Sequence, residues 1–326
     1  MEKFRTLNNN AKTILALAGI VTSVAAIALG VELIPAQNSG NEVAEVQDAT
    51  ATSTPKYNPF ADIILEAKAA FVFDVRQNAV LYEKNADSQL PLASLTKLMT
   101  VVAAEDFLAE DTTVPITNRA RETEGGAIFS LGEKWRLKDL IDFTLVASSN
   151  SGARALASAA AAAEALRSGE SYDEGNKPVS FIERMNAKAR EIGLTQTYYT
   201  DETGLDEGPE VPGGFGSARD MAKLMAYLIG NRSDLIEATR YPSLTLTNLT
   251  DVHYRAKNTN EAIPDIPELL ASKTGFTDLA GGNLLIAFDA GILHPIIVVV
   301  LGSSQKGRFS DIVTLVEKSL AVIQAP

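Results

Sequence analysis

The order of predicted elements indicates an α+β domain. Two segments of alternating apolar residues come first, apolar stretches at helical spacing follow, and three short β-branched segments lie near the C-terminus. A period of two predicts strands, whereas a recurrence every three to four residues predicts helices. Because strands occur at both ends of the domain with helices between them, we expect a sheet that joins strands distant in the chain.

The first half of the domain combines a hairpin with helices. Residues 69–75 and 79–83, separated by a turn around Gln77-Asn78, predict two paired strands. A helix is expected from Ser94 to about Leu108. Residues 137–147 and an alanine-rich stretch ending near Leu166 predict two more helices, with residues 148–152 as the loop between them.

The second half returns to strands after two helices. Helical spacing covers residues 181–192 and 218–229, and Ser217 with Asp220 forms a capping-box pattern before the second of these. Residues 269–276, 283–289 and 295–301 predict an antiparallel meander, broken at Gly281-Gly282 and Ala290-Gly291. A helix over residues 309–323 is expected to close the domain.

The N-terminal segment predicts an attachment to a membrane. Lys3, Arg5 and Lys12 precede residues 13–31, which carry no charge and are long enough to span a bilayer. The run exceeds the usual core of a signal peptide and lacks a clear cleavage site, so an anchor at residues 13–33 is favoured over a cleaved signal. We expect residues 1–36 to form a cytoplasmic tip and anchor, 37–56 a flexible linker, and 57–326 an extracytoplasmic domain, in the periplasm or on the outer face of the membrane.

Composition excludes several classes of function. The formal net charge of -12 argues against a nucleic-acid partner, because phosphate binding needs basic surface. Cysteine is absent, which removes thiolate nucleophiles and zinc-thiolate sites, and two histidines are too few for a histidine-rich metal site. We therefore expect no metal and no cofactor, a structural or exposed place for His253 and His294, and a packing role for Trp135.

Three short patterns are candidates for catalysis: Ser94-x-x-Lys97, Ser148-x-Asn150 and Lys273-Thr274-Gly275. The first two are weak when taken singly, because the same spacings recur elsewhere in the chain. The recurrences lie in the predicted linker or after the last strand, whereas Ser94 begins an apolar helix and Ser148 lies between two helices. Their context therefore favours these three patterns as one site.

The residue types suit a serine nucleophile with a lysine base. Ser94 can attack a carbonyl if Lys97 accepts its proton, which requires a lowered Lys97 pKa; we expect repulsion by Lys273 to lower it. Ser148 can pass the proton to a leaving group, and Asn150 can orient Lys97 or a substrate amide.

The third pattern suits peptide binding. Lys273-Thr274-Gly275 on an edge strand offers extended backbone to a peptide, and Gly275 allows close approach. The N–H groups of Ser94 and Phe276 are candidates for an oxyanion hole.

These patterns and their flanks resemble the low-molecular-mass penicillin-binding proteins, the D-alanyl-D-alanine carboxypeptidases of bacterial cell walls. The likeness covers about residues 71–322 and includes five segments: Pro91–Met99, Met185–Ala189, Thr203–Leu205, Ser217–Met221 and Lys273–Asp278. The resemblance implies the serine β-lactamase/DD-transpeptidase fold, with a five-stranded antiparallel sheet flanked by helices and a mostly helical lobe. It also implies that Arg308 and Thr274 hold the terminal carboxylate of the substrate.

The sequence departs from the family pattern at two places. Phe276 stands where many relatives carry histidine, which alters the rim of the site but not a backbone donor. Asp201-Glu202 precede Thr203-Gly204-Leu205 where relatives often have Asn-Pro. The family pattern therefore does not predict the conformation of that loop.

The resemblance predicts an enzyme that removes the terminal D-alanine from peptidoglycan stem peptides through an acyl-enzyme on Ser94. Penicillins and other β-lactams should acylate the same serine. A DD-endopeptidase that cuts cross-links, and an inactive wall-binding homologue that retained the fold, remain alternatives.

Overall fold

The computed structural model describes residues 58–124, 128–173 and 175–324. The predicted anchor and the predicted linker, which together span residues 1–56, lie outside these residues. No helix within the described ranges is long and apolar enough to cross a membrane. The strands are β1 (Ala69–Asp74), β2 (Ala79–Lys84), β3 (Leu90–Pro91), β4 (Thr113–Pro115), β5 (Lys134–Arg136), β6 (Tyr198–Tyr199), β7 (Gly214–Gly216), β8 (Ser243–Thr247), β9 (His253–Lys257), β10 (Leu269–Thr277), β11 (Gly281–Asp289) and β12 (Pro295–Ser303). The α-helices are α1 (Thr96–Glu105), α2 (Asn118–Arg121), α3 (Leu137–Val146), α4 (Asn150–Ser168), α5 (Val179–Ile192), α6 (Ala218–Asn231), α7 (Ser233–Ile236) and α8 (Gly307–Ile323).

A five-stranded antiparallel sheet, in the order β10-β11-β12-β1-β2, forms the centre of the domain. The N-terminal hairpin joins the C-terminal meander through β1 and β12, where Ala69 lies opposite Leu301 and Asp74 opposite Ile296. This pairing confirms the predicted α+β class and the predicted sheet. It also leaves β10, which carries Lys273, at one edge.

Alternation along the strands separates two apolar cores. Val72, Ile286 and Val298 face a cluster that includes Leu315 of α8. Residues of the opposite face, among them Phe71, Leu285 and Val299, pack in the larger cluster with the remaining long helices. Burial on both faces explains why β11 and β12 are apolar at nearly every position.

Small sheets complete the helical side of the domain: β3-β7-β6, β4-β5 and β8-β9. Trp135 of β5 is fully buried and its ring packs against the rings of Phe129, Phe143 and Tyr254, so its predicted packing role is confirmed. His294 is buried with Nε2 2.8 Å from Asp74 Oδ2, whereas His253 is exposed.

Several predicted boundaries need correction. The helix expected from Ser94 starts as a 3₁₀ turn over Ala93–Leu95, and α1 begins at Thr96 and ends at Glu105. The expected loop 148–152 is shorter, because the Ser149 side chain accepts a hydrogen bond from Gly152 N and α4 therefore begins at Asn150. Gly281-Gly282 lies inside β11 rather than before it. The predicted cap of α6 is confirmed, since Asp220 N donates to Ser217 Oγ at 3.1 Å.

Candidate active site

The segment before α1 is held in place by the central sheet. The buried side chain of Asn283 on β11 donates to the carbonyl oxygens of Pro91 and Leu92, at 2.9 and 3.0 Å. Ala93 follows with φ of +48°, a conformation that L-residues rarely adopt. The sheet and this turn together place Ser94, whose side chain is partly exposed, just before α1.

Lys97 lies one turn beyond Ser94 and is fully buried. Its Nζ is 2.8 Å from Ser94 Oγ, 2.7 Å from Asn150 Oδ1 and 2.8 Å from the Thr203 carbonyl oxygen. The last two atoms can only accept hydrogen bonds, and a neutral amine has two N–H donors and one lone pair. The arrangement therefore suits a neutral Lys97 that donates to Asn150 and Thr203 and accepts the proton of the Ser94 hydroxyl.

Burial is the main cause of the altered Lys97 pKa. Removal from water lowers this pKa to about 7, while the negative charges of Asp201, Glu202 and Glu124 partly oppose the effect. The expectation that repulsion by Lys273 is the cause of the low Lys97 pKa is therefore wrong. After burial, the repulsion between the two lysines lowers the pKa of Lys273 instead. Desolvation is sufficient to bring the amine into the range of a base at neutral pH.

Lys273 and Ser148 form the second part of the site. Lys273 on β10 is buried, with Nζ 2.8 Å from Ser148 Oγ and 2.9 Å from the Thr274 carbonyl oxygen. Burial, followed by the positive charges of Lys97 and Arg308, lowers the Lys273 pKa well below its ordinary value. Ser148 has φ of +55° and a partly exposed side chain. The structure thus brings both lysines and both serines of the predicted patterns to one edge of the sheet.

Gly275 allows a close approach, but the neighbour is the chain itself. A Cβ at this position would lie 2.8 Å from the Leu92 carbonyl oxygen and 3.2 Å from Ser94 N. The glycine therefore lets β10 pack against the segment that carries Ser94. Phe276, the next residue, is exposed, at the rim of the site.

Arg308 enters the site from the start of α8. Its side chain is largely buried, and Nη1 donates to the Gly275 carbonyl oxygen at 2.7 Å. Its Nε is buried without a hydrogen-bond partner among the described residues. Thr274, also buried, pairs its hydroxyl with that of Thr259, a residue that no sequence pattern indicated.

A loop of residues 201–204 supplies contacts that sequence patterns did not predict. Asp201 Oδ1 accepts hydrogen bonds from Thr203 N at 2.6 Å and Gly204 N at 3.0 Å, and also from the Thr203 hydroxyl. The buried Glu202 side chain pairs with Arg119, at 2.6 Å. The departure from Asn-Pro marked this loop, but the part that contacts Lys97 is a backbone oxygen, which leaves no signal in a sequence.

Comparison with known proteins identifies the family to which this sequence belongs. The profile of the D-alanyl-D-alanine carboxypeptidase family matches residues 51–305. The chain belongs to this family. Membership and the fold confirm the predicted resemblance to the D-alanyl-D-alanine carboxypeptidases.

Some relatives are named carboxypeptidases and others are named endopeptidases. D-alanyl-D-alanine carboxypeptidase DacF of Bacillus subtilis is 28% identical over 79% of this chain, which spans 63% of that relative. The D-alanyl-D-alanine endopeptidase of Pseudomonas aeruginosa is 30% identical over 76% of this chain and 75% of its own length. Both the predicted activity and its endopeptidase alternative thus occur among the relatives.

Solved structures show the same architecture. Penicillin-binding protein D2 of Listeria monocytogenes, solved in an ampicillin-bound form, is 27% identical with a TM-score of 0.65 over 79% of this chain and 98% of that chain. A DD-transpeptidase from Streptomyces K15 gives a TM-score of 0.69 at 23% identity over 79% of this chain and 99% of that chain, which supports the fold. The predicted serine β-lactamase/DD-transpeptidase fold is therefore confirmed.

Proposed function

We propose that this protein is a serine D-Ala-D-Ala carboxypeptidase that removes the terminal D-alanine from peptidoglycan stem peptides through an acyl-enzyme on Ser94. The observation that carries the proposal is the contact between Lys97 Nζ and Ser94 Oγ, at 2.8 Å, with Lys97 buried and its other two oxygen partners acting as acceptors. A nucleophile needs a base within hydrogen-bond reach, and this pair meets that requirement before substrate binds.

Acylation begins when Lys97 takes the proton of the Ser94 hydroxyl. Ser94 Oγ then bonds to the carbonyl carbon of the penultimate D-alanine, and the backbone N–H groups of Ser94 and Phe276 stabilise the oxyanion. The C–N bond breaks and D-alanine leaves with a proton delivered through Ser148, which lies 2.8 Å from Lys273 Nζ. Water then hydrolyses the ester, and Ser94 regains its proton.

The remaining predicted residues bind substrate in this scheme. Asn150 orients Lys97 and the substrate amide, and the Lys273-Thr274-Gly275 strand aligns the peptide backbone. Thr274 and Arg308 hold the terminal carboxylate. Among the described residues the buried Arg308 Nε has no hydrogen-bond partner, which favours an anionic group there.

Covalent labelling by a penicillin tests the nucleophile. The purified full-length chain should gain the mass of one penicilloyl group, and the Ser94→Ala variant should gain none. Labelling of Ser94→Ala to the same extent as the parent, or no labelling of a folded parent, would overturn the proposed mechanism. Equal cleavage of a D-Ala-D-Ala peptide by variant and parent would indicate an inactive homologue with a contaminating activity.

A DD-endopeptidase is the second candidate, because three of the relatives carry that name. The two activities share the nucleophile and differ in the group on the leaving side. A free pentapeptide and a cross-linked muropeptide should be supplied in parallel, with Ser94→Ala as the control. Release of D-alanine from the first at a higher kcat/KM supports the carboxypeptidase, and faster separation of the cross-linked strands supports the endopeptidase.

We also propose that the domain acts outside the cytoplasm, held to the membrane by residues 13–33. Support comes from the uncharged run and the basic residues before it. The full chain should sediment with membranes and resist extraction at high pH, whereas a variant that lacks residues 1–36 should not. A mature protein whose mass corresponds to loss of the N-terminal segment would replace the anchor with a cleaved signal.

A further inference from the structure

A buried ion pair lies directly behind the general base. Glu202 is fully buried, with Oε1 2.6 Å from Arg119 Nη2 of α2 and 3.6 Å from Arg154 Nε of α4. A carboxylate is stable at such a depth only when it is paired, because desolvation of an isolated charge costs several kcal/mol. The loop that carries Glu202 is thereby fixed to two helices of the helical lobe.

The backbone on either side of this carboxylate contacts α1. The carbonyl oxygen of Glu202 accepts from Thr100 Oγ1 at 2.6 Å, and that of Thr203 accepts from Lys97 Nζ at 2.8 Å. Thr100 and Lys97 lie three residues apart, on the same side of the helix. Two successive carbonyl groups therefore hold α1 at the position of its base.

We propose that Glu202, held by Arg119 and Arg154, is the positioning residue for Lys97. Its buried side chain fixes the loop that carries the Thr203 carbonyl, and its carboxylate adds negative charge to the surroundings of the amine. This inference rests on the proposed role of Lys97 as base, and it assigns a function to the place where the chain departs from the Asn-Pro pattern.

The charges around the pair make its effect measurable. The charged groups around Lys97 are Asp201 and Glu202 of the loop, Glu124 beyond α2 and Lys273 of β10. Those around Glu202 are Arg119, Arg154 and Asp201. Burial and the charge of Asp201 raise the Glu202 pKa, and the pairing with Arg119 opposes that rise and favours the ionised carboxylate. The Glu202 charge raises the Lys97 pKa and so opposes the larger effect of burial. Removal of this charge should let the Lys97 pKa fall further.

The test is the pH profile of acylation in the full-length Glu202→Gln variant, with a fluorescent penicillin as the probe. The acidic limb of the rate should move to lower pH by about one unit, because a nearby negative charge has been removed. The plateau rate should fall about tenfold or more, because the Thr203 carbonyl is no longer held in one direction. Glu83→Gln removes the same charge from an exposed side chain far along the sheet, and its profile should match the parent.

A second variant covers the case in which an unpaired Arg119 prevents folding. Arg119→Gln/Glu202→Gln removes both partners and leaves a neutral, hydrogen-bonding pair of similar size. Its acidic limb should move in the same direction by a smaller amount. A folded variant of either kind whose acidic limb stays at the parent pH, or moves to higher pH, overturns the inference. Because the parent must be acylated at Ser94 in the same assay, that result leaves the proposed function intact.

Discussion

Lys97 shows how one side chain acquires its chemistry from its surroundings. In water a lysine is charged at neutral pH, but complete burial lowers the Lys97 pKa to about 7. Asn150 and Thr203 then accept the two N–H groups of the neutral amine, and its lone pair is left for the Ser94 hydroxyl. The backbone of the site is also strained. Ala93 and Ser148 both have positive φ, which costs about 1 to 3 kcal/mol each.

The acylation rate should therefore rise with pH through a midpoint near 7. Below that pH Lys97 is protonated and cannot accept the Ser94 proton; above it the neutral amine predominates. Stopped-flow measurement with a chromogenic cephalosporin between pH 5 and pH 9 gives the midpoint. A midpoint near the ordinary lysine value, or a rate independent of pH, would contradict the assignment of Lys97 as base.

At the scale of elements, the site depends on three segments that touch at their backbones. The 3₁₀ turn of Ser94, the edge strand β10 and the loop of residues 201–204 approach too closely for side chains at Gly204 and Gly275. Gly204 has φ of +79°, and a Cβ there would lie 2.0 Å from the Ala93 carbonyl oxygen. Glycine at this position thus connects the loop behind Lys97 to the turn before Ser94.

Gly204→Ala should lower the free energy of unfolding by about 2 to 4 kcal/mol and slow acylation, because either the loop or the nucleophile turn must shift. Chemical unfolding followed by the fluorescence of Trp135, the single tryptophan, measures the change. Gly230→Ala is the matched control. Gly230 lies exposed in α6 and its Cβ would meet nothing within 4 Å, so alanine should stabilise the protein by about 0.5 to 1 kcal/mol. Equal effects of the two variants would show that the contact with Ala93 is not tight.

At the scale of the whole molecule, the two ends of the domain are joined on the sheet face opposite the helical lobe. Asp311 of α8 accepts hydrogen bonds from Glu66 N at 3.0 Å, Ala67 N at 2.9 Å and Ser303 Oγ at 2.7 Å. The carboxylate is buried and serves both the entry to β1 and the end of β12. It joins these segments without a contact to Ser94 or Ser148.

Asp311→Ala should destabilise the domain by about 2 to 4 kcal/mol, because two backbone N–H groups and a hydroxyl lose their acceptor. Asp311→Asn, which keeps one carbonyl oxygen, should cost less. Acylation of the folded protein should change by less than about threefold in both variants, since Asp311 does not contact the serines or lysines of the site. A large loss of acylation at unchanged stability would instead place Asp311 in the catalytic machinery.

Sequence reasoning was most successful where a pattern is local. The periodicities predicted β1, β2, β10, β12 and α8 to within a few residues. The three motifs identified five side chains that lie at one edge of the sheet: Ser94, Lys97, Ser148, Asn150 and Lys273. It was less successful where hydrogen bonds decide a boundary, as at Ser149 and Asn150, where a cap begins the helix inside the expected loop. Thr259 had no signal, because a threonine in a polar segment is ordinary.

The sequence by itself determined the fold class and the family, and it predicted Ser94 as the nucleophile with Lys97 as its partner, because these depend on residue types at short spacing. Only the tertiary structure decided which surroundings lower the pKa of Lys97 toward that of a base. Its partners Asn150 and Thr203 lie 53 and 106 residues away along the chain, and its pKa depends on burial that arises when those segments pack. The same packing places the Thr203 carbonyl oxygen in contact with Lys97 Nζ. Solvent exclusion and neighbouring dipoles set the strength of a base in a protein, and the spacing of residues along a sequence does not record either of them.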